Sequence, residues 1–302
     1  MIATDAYELL KESVGLVDRS ERAKLALKGG DAVDFLQGQV TNDVERLTPG
    51  SGCYAAILTH KGKLRADLRI LRGDDWLWLD GEAIARAVLV HTVETYSVGR
   101  DVSFDDLTES RSILSLIGPE ARERLDTEPP MDEHAFVQGT HGLYVATDMG
   151  VDVICEDPVA VRHALEVEAV PEGAAECLRI ESGRPRLGLD MDADTIPQEA
   201  GLNERAVSFA KGCYVGQETV ARLHYKGKPN RHLRGLRLSA RAVGGEDVLL
   251  GERVVGRIGS TCVSPALGPI ALALLRRDAE PGHTVLVAGA EARVVALPFD
   301  GG

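Results

Sequence analysis

The sequence lacks a long apolar run, a secretory signal and any low-complexity tract. Its longest apolar stretch, 266–275, is interrupted by Gly268 and Pro269 and is shorter than the roughly 18 residues that a membrane-spanning helix needs. The first residues carry acidic side chains and no apolar core of the kind that directs secretion. We therefore expect a folded chain of about two domains that does not cross a membrane and stays in the cytoplasm.

Cysteine is scarce, and no two cysteines form a C-x-x-C pair or a Cys/His cluster with zinc-site spacing. This spacing argues against a disulfide framework and predicts no metal site. A stable iron–sulfur cluster is not expected either, because such clusters are commonly held by several thiolates close together. Reduced thiols in a reducing compartment are the expectation. The cysteines are Cys53, Cys155, Cys177, Cys213 and Cys262.

Basic residues are fewer than acidic ones, 34 against 47, which gives a formal net charge of −13. Such a surface repels nucleic acid and anionic lipid, so we expect no stable nucleic-acid partner. Residues 211–237 differ, since they contain seven bases and a single acid, Glu218. This segment is either a solvated surface or a docking site for a partner that carries carboxylates or phosphates.

Several common catalytic motifs are also missing. The sequence has no G-x-x-x-x-G-K-[ST], no H-E-x-x-H and no G-x-S-x-G, which excludes P-loop enzymes, zinc proteases and serine hydrolases of those types. The stretch 50–52 begins like a dinucleotide-binding motif, but it follows a predicted helix and precedes a predicted strand. We interpret it as a turn.

Residues 63–71 give the clearest secondary-structure signal. Apolar and charged side chains alternate strictly there, which predicts a strand with one face turned to solvent. Asp80 is placed to cap a helix over about 83–96. With a strand at 22–28, a helix after it and strands at 53–58 and 76–79, the element order becomes β-α-β-β-β-α.

A similar order of elements follows, with strands near 113–117, 143–147 and 151–155 and a helix after Asp157. This pattern predicts an α+β protein built from two fused ferredoxin-like units of the split β-α-β type. From about residue 231, short β-type runs separated by Gly and Pro predict a small antiparallel barrel or sandwich. The predicted domains are therefore 1–105, 106–230 and 231–302.

The octapeptide 211–218, KGCYVGQE, is the most unusual stretch of the sequence. Cys213 lies two residues from Lys211 and just before a predicted short helix over 217–223. A nearby cation and a helix start both favour the reactive thiolate, whereas apolar burial would suppress it. Cys213 is thus either a catalytic thiol assisted by Lys211 or an inert buried side chain.

With its flanks, this octapeptide resembles the signature of the YgfZ family of folate-binding proteins, relatives of the glycine-cleavage T-protein. The resemblance continues through GLVDRSERAKLALKGGDAVDFLQGQVTNDV, GCYAAILTHKGKLRADLRIL and LRIESGRPRLGLDMDADTIPQEAGL, in the expected order. It implies the T-protein fold, two ferredoxin-like units and a C-terminal antiparallel barrel around a hole that takes tetrahydrofolate. It also implies transient partners among iron–sulfur enzymes or cluster-assembly proteins, with a redox or thiol role for Cys213.

The resemblance also assigns three cofactor-binding residues. Tyr54 matches a folate-pocket tyrosine, Asp67 matches an aspartate close to the reactive folate nitrogens, and Glu181 in LRIESG matches the glutamate that holds the pterin. A carboxylate can accept both donors of a pterin edge. The residues alone leave other interpretations open: packing for Tyr54, an ion pair with Arg65 or Arg69 for Asp67, and a solvated position beside Arg179 or Arg184 for Glu181.

Three functions remain in competition, and the sequence does not decide whether the protein is an enzyme. The first is a tetrahydrofolate-binding accessory protein for iron–sulfur cluster assembly or repair, favoured because T-proteins usually lack the Lys-Gly-Cys that precedes Tyr214. The second is a folate-dependent aminomethyl or one-carbon transferase of the T-protein type, with Asp67 as its acid–base or electrostatic group. The third is a non-catalytic module in which 211–237 docks a partner.

Overall fold

A computed structural model describes residues 4–299 of the chain. Helices within this range are short, and the longest has 11 residues. Two single-turn 3₁₀ helices, Ala83–Ala85 and Arg122–Arg124, supplement them. The α-helices are α1 (Thr4–Glu12), α2 (Ala32–Gln39), α3 (Arg86–Tyr96), α4 (Pro158–Leu165), α5 (Glu172–Glu181), α6 (Asn203–Ala206) and α7 (Gln217–Lys226).

The strands of residues 4–299 form two five-stranded sheets and one closed barrel. The first sheet has the order β3-β4-β5-β2-β6, the second β1-β7-β10-β9-β8, and the barrel β11-β14-β13-β12-β15-β16. Their bounds are β1 (Gly15–Asp18), β2 (Ala23–Lys28), β3 (Ser51–Leu58), β4 (Leu64–Arg72), β5 (Trp76–Gly81), β6 (Ser103–Asp106), β7 (Ser112–Ile117), β8 (Phe136–Gly139), β9 (Gly142–Thr147), β10 (Gly150–Cys155), β11 (Arg231–Leu238), β12 (Asp247–Leu250), β13 (Arg253–Ser264), β14 (Gly268–Arg276), β15 (Thr284–Val287) and β16 (Ala290–Val295).

These elements belong to two compact units. The two-sheet unit comprises Glu8–Val170 and Glu204–Gln217, and the barrel unit comprises residues 4–7, 171–203 and 218–299. The predicted boundaries after residues 105 and 230 stay a prediction. Strand β1 belongs by sequence to the predicted first domain, yet it pairs with β7, which belongs to the second.

Strand β4 confirms the strand predicted over 63–71, but its polar face is buried rather than solvated. Asp67 is 8% exposed and Arg69 is 6% exposed. Leu71 and Trp78, on the same face of this sheet by their register, pack with Ile113 and other apolar side chains of the second sheet. The charged residues of β4 therefore lie between two sheets, where each charge needs a partner.

Arg69 supplies much of that pairing. Its Nε donates to Asp80 Oδ2 at 2.7 Å, and its Nη1 donates to Asp152 Oδ2 on β10 at 2.6 Å. Ser115 Oγ donates to the other oxygen of Asp152 at 2.5 Å, and Trp78 Nε1 donates to Asp80 at 2.9 Å. One guanidinium thus joins the first sheet to the second.

The prediction that Asp80 caps a helix is wrong. Asp80 lies within β5, is fully buried, and binds Arg69 together with Arg22. These two cations hold the pKa of the Asp80 carboxyl below its usual value despite the desolvation that opposes ionisation. Its position after an apolar strand resembles that of a capping residue, and only the sheet packing distinguishes the two roles.

The barrel unit confirms the predicted C-terminal antiparallel barrel. Its six strands close through the pairing of β11 with both β14 and β16. Helix α5 packs on β13 and β14, with Ile180 in a cluster that includes Leu233 and Phe299. The apolar interior is formed by Leu236, Leu238, Val248, Val255, Ile258, Ala271, Ala273, Leu275, Ala279, Val285, Val287, Ala292 and Val294.

The pairing of Arg69 can be tested by removing its charge. Arg69→Met should lower the free energy of unfolding by about 3–5 kcal/mol, because it leaves the buried Asp152 carboxylate without its cation. Urea unfolding followed by circular dichroism measures this loss. Arg65→Met, on the same strand, is the control and should change stability by less than about 0.5 kcal/mol. Equal effects of the two substitutions would contradict the assignment.

Candidate functional site

Tyr54 and Asp67 meet on the first sheet. In the register of β3 and β4, Tyr54 lies opposite Arg69 and Ala56 lies opposite Asp67, so the two side chains are diagonal neighbours on one face. The Tyr54 hydroxyl donates a short hydrogen bond to Asp67 Oδ2. Burial, and then the adjacent carboxylate, raise the pKa of the Tyr54 phenol, so it remains a donor.

The second carboxylate oxygen of Asp67 is one of the buried polar atoms of this unit that no group of the described chain satisfies. Oδ1 is buried and has no hydrogen-bond partner anywhere in residues 4–299. Desolvation raises the pKa of the Asp67 carboxyl, although the Tyr54 hydrogen bond and the Arg22 charge oppose that rise. The ion pair with Arg69 that the sequence left open is not formed, because Arg69 binds Asp80 and Asp152 instead.

Arg205 completes the surroundings of Tyr54 and was missed at the sequence level. Its guanidinium lies over the Tyr54 ring, 5.4 Å from the centroid, and its Nη2 is 2.7 Å from Glu133 Oε1. Asn42 Nδ2 donates to the backbone oxygen of Tyr54 at 2.8 Å and to that of Arg205 at 3.3 Å. No local pattern marks Arg205, which lies in the single-turn helix α6, so its role follows from the fold alone.

Next to Glu133, the backbone of His134 adopts a left-handed conformation with φ of 70°. The imidazole is largely buried, and its Nδ1 has no hydrogen-bond partner in the described part of the chain. Burial, followed by the Arg69 charge, lowers the pKa of His134 to about 4, so the ring is neutral at physiological pH. Strained, buried polar residues of this kind concentrate at functional sites.

Lys211 is buried and holds the end of a helix. Its Nζ lies 2.6 Å from the carbonyl oxygen of Gln37, 2.8 Å from that of Val40 and 2.8 Å from that of Asn42. Gln37 and Val40 lie at the C-terminal end of α2, where carbonyl groups lack helical donors and a cation is favourable. Burial lowers the pKa of the Lys211 ammonium to about 8.

Cys213 is exposed, in a loop that Lys211 and Gly216 order. Gly216 has φ of +86°, and a Cβ there would lie 2.5 Å from the carbonyl oxygen of Thr59, which explains why the motif has glycine at this position. Helix α7 begins at Gln217, as predicted, four residues after the cysteine. Lys211 directs its hydrogens to backbone carbonyls, so its assistance to the thiol stays a prediction.

Glu181 belongs to the barrel unit and is 3% exposed, so the solvated position that the sequence left open is wrong. The Tyr7 hydroxyl lies 2.9 Å from Oε1 and 3.0 Å from Oε2, and Ser264 Oγ donates to Oε1 at 2.6 Å. The Cys177 thiol lies 3.7 Å from Oε1. Within the described residues, the Glu181 carboxylate, at the end of α5, is therefore held by hydrogen-bond donors and not by a cation.

The basic segment 211–237 is not an open surface throughout. Lys211 is buried, and Arg231 forms an ion pair with Glu199, with Nη2 to Oε2 at 2.7 Å. Among residues 4–299, no helix is long and apolar enough to span a membrane, and no three His, Cys, Asp or Glu side chains are grouped so as to hold a metal ion.

Two ferredoxin-like sheets and a closed six-stranded antiparallel barrel define the T-protein class of fold. Family models agree: residues 2–141 match the GCVT N-terminal domain, and residues 231–300 match the glycine cleavage T-protein C-terminal barrel domain. The fold also matches the crystal structure of the glycine cleavage system aminomethyltransferase T from Bartonella henselae. The TM-score is 0.89 at 23% identity, covering 98% of this chain and 89% of that one.

Sequence relatives identify the family. An aminomethyltransferase of Rubrobacter xylanophilus is 31% identical over 317 residues, covering 97% of this chain and 85% of that protein. An aminomethyltransferase of Thermotoga petrophila is 30% identical over 322 residues, covering 96% and 87%. The chain belongs to the aminomethyltransferase (T-protein) family, whose members use tetrahydrofolate. These relatives support the transferase hypothesis better than the YgfZ-type, iron–sulfur hypothesis.

Lys211 gives a test of how the motif loop is held. Lys211→Met keeps the side-chain length but removes all the donors to the end of α2, so unfolding should require about 3 kcal/mol less. Thermal and urea unfolding measure the change. The matched control is Lys226→Met at an exposed position of α7, which should be near neutral. An unchanged stability of Lys211→Met would show that the carbonyls do not depend on this ammonium.

Proposed function

We propose that this protein binds tetrahydrofolate and transfers a one-carbon unit to it, as an aminomethyltransferase. The observation that carries the proposal is Asp67, a buried carboxylate with one oxygen held by Tyr54 and the other without a partner in the described chain. The relatives named above support the same activity. This was the second of the functions that the sequence left open.

The residues present fit a folate. A buried acceptor without a donor costs about 1–3 kcal/mol, so such an atom is expected where a ligand supplies the missing hydrogen. The N–H groups of tetrahydrofolate are donors of that kind. Tyr54 holds Asp67 in place by a hydrogen bond. Arg205 lies over the Tyr54 ring and so holds Tyr54 in turn.

Tetrahydrofolate, when bound, supplies the nitrogens that accept the one-carbon unit. The role of the protein is to place Asp67 beside these nitrogens and to keep water away from them. Desolvation raises the pKa of Asp67 toward the range in which a carboxyl both accepts and returns a proton. If it stays ionised, the same carboxylate stabilises positive charge that develops on a nitrogen nearby, and burial strengthens that attraction.

Glu181 is proposed separately as a pterin-binding group. Its carboxylate is fixed by Tyr7 and Ser264, and Oε2 has only the shared Tyr7 hydroxyl among the contacts of the described chain. An ionised carboxylate offers about four lone-pair sites, so Glu181 retains capacity for additional donors. Nine-tenths or more of its surface is withdrawn from water, which makes a charge-assisted bond to a pterin amine strong.

Asp67→Asn separates function from stability. It should reduce the formation of methylene-tetrahydrofolate from tetrahydrofolate and an aminomethyl donor by about 100-fold or more, the usual effect of removing an acid–base group. Its free energy of unfolding should not fall. Burial raises the pKa of the Asp67 carboxyl above its unfolded value. Ionisation of Asp67 therefore destabilises the native state as the pH rises from 3.8 through the native pKa. Asparagine does not ionise, so the substitution removes that destabilisation.

Asp75→Asn is the control, since Asp75 is exposed near the start of β5 and should leave both turnover and stability unchanged. Turnover is followed by the absorbance of the folate product, and stability by urea unfolding across pH. Full turnover of Asp67→Asn would refute the proposed role. A strongly destabilised Asp67→Asn would instead make Asp67 a structural residue.

One observation favours a second function, that of a folate-binding accessory protein for iron–sulfur enzymes. Cys213 is exposed, whereas the other four cysteines are buried or partly buried. An exposed thiol on an ordered loop suits transient contact with a partner's cluster or persulfide. Such partners would be iron–sulfur enzymes or cluster-assembly proteins, bound without a permanent cluster on this chain.

Two variants separate these functions in cells that lack the protein. If the accessory function operates through the thiol, Cys213→Ser should fail to restore the activity of a client iron–sulfur enzyme while retaining one-carbon transfer. Asp67→Asn should show the reverse pattern, in which one-carbon transfer is lost in vitro and the activity of the client enzyme is restored. Client activity restored fully by Cys213→Ser would eliminate the thiol role and leave the transferase.

A further inference from the structure

We propose that Cys177 and Cys262 form a redox-active dithiol, which a low-molecular-weight disulfide such as oxidised glutathione converts into an intrachain disulfide. Cys177 lies on α5 and Cys262 on β13, both within the barrel unit. Their Sγ atoms are 3.1 Å apart. Nothing in the proposed transferase function requires this pair.

The geometry brings the two thiols into direct contact. The Cys262 thiol donates to Cys177 Sγ, and the Cys177 thiol is in turn 3.7 Å from Glu181 Oε1. Helix α5 packs on β13, so the contact belongs to a packed part of the unit and not to a loose segment. Forming a disulfide requires the sulfur atoms to approach by only about 1 Å, to the usual bond length of about 2.05 Å.

The two thiols differ in access, which sets the order of reaction. Cys262 is partly exposed, whereas Cys177 is fully buried. The hydrogen bond with Cys262, burial and the nearby Glu181 carboxylate together raise the pKa of Cys177 well above its ordinary value. An external disulfide therefore reaches Cys262 first, and Cys177 acts as the resolving thiol.

The reaction balances without a further reagent. The Cys262 thiolate attacks one sulfur of oxidised glutathione, forms a mixed disulfide and releases one glutathione, which takes up the proton lost by Cys262. Cys177, whose thiol faces Glu181, then attacks Cys262 Sγ and expels the second glutathione as a thiolate, which takes up the proton lost by Cys177. Two protein thiols are oxidised, and one external disulfide is reduced to two thiols.

Oxidation would also change Glu181. The carboxylate loses the Cys177 hydrogen and keeps Tyr7 and Ser264 as its donors. This consequence rests on the proposed function, in which Glu181 accepts the pterin donors. With one donor fewer, the carboxylate is held less firmly in the position in which it would accept the pterin donors. Oxidised protein should then bind tetrahydrofolate about tenfold more weakly.

The test treats the full-length reduced protein with oxidised glutathione and maps the products by non-reducing peptide mass spectrometry. Wild-type protein should give a Cys177–Cys262 cross-linked peptide that dithiothreitol reverses. Cys177→Ser should instead retain glutathione on Cys262, because the resolving thiol is missing. Cys262→Ser should leave Cys177 unmodified. Cys155→Ser, which removes a buried cysteine of the two-sheet unit, should form the cross-link as wild type does.

A folded wild-type protein that keeps glutathione on Cys262, or that forms no link between the two cysteines, would overturn the proposal. Tetrahydrofolate titration of the reduced and oxidised forms, in anaerobic buffer after removal of glutathione, is a separate measurement. No binding by the reduced form would count against the proposed function while leaving the dithiol intact. A cross-link with unchanged affinity would count against the coupling through Glu181.

Discussion

The structure of the two-sheet unit depends on one shared cation, Arg69. Two carboxylates from different sheets, Asp80 and Asp152, bind the same guanidinium, so the facing sheets cannot separate without exposing unpaired charge. That pairing has a local consequence. Asp67, two residues earlier on the same face of β4, is brought into the same buried layer while Arg69 is already occupied. A carboxylate that is buried without a bridging cation is the feature on which the proposed function rests.

The two candidate carboxylates, one in each unit, are held in different ways. Asp67 is left short of a donor, whereas Glu181 is surrounded by Tyr7, Ser264 and Cys177. The first arrangement raises a carboxyl pKa and makes proton exchange easier, and the second fixes a carboxylate as a hydrogen-bond acceptor. Lys211 takes no direct part in either arrangement. It ends helix α2 and thereby orders the loop that carries Cys213.

Much of this fold could be predicted because its signals are local. The alternation along β4, the Gly- and Pro-separated runs of the barrel and the helix start at Gln217 each depend on neighbouring residues. Burial of the polar face of β4 could not be predicted, because alternating charges are typical of a solvated face. One of the partners that neutralise Arg69 on this face is distant, since Arg69 and Asp152 are 83 positions apart. The contact of Lys211 with the end of α2 could not be predicted for the same reason, because Lys211 and Gln37 are 174 positions apart.

The candidate residues also differ in whether the sequence indicates them. The resemblance to T-proteins predicted Tyr54, Asp67 and Glu181 as folate-binding residues, and this stays a prediction that the contacts of Asp67 and Glu181 support. Arg205 and His134 have no sequence signal, because the position of Arg205 over the Tyr54 ring and the left-handed backbone of His134 arise only in the folded chain. Cysteine spacing likewise gave no reason to pair Cys177 with Cys262, which come together only when α5 packs on the barrel.

The most direct test of this account is a crystal structure of the protein with tetrahydrofolate bound. The account predicts a folate nitrogen within hydrogen-bond distance of Asp67 Oδ1, at about 2.7–3.2 Å, with the Tyr54 hydroxyl still on Oδ2. A folate bound elsewhere, with Asp67 Oδ1 satisfied by a protein group or facing only solvent, would contradict it.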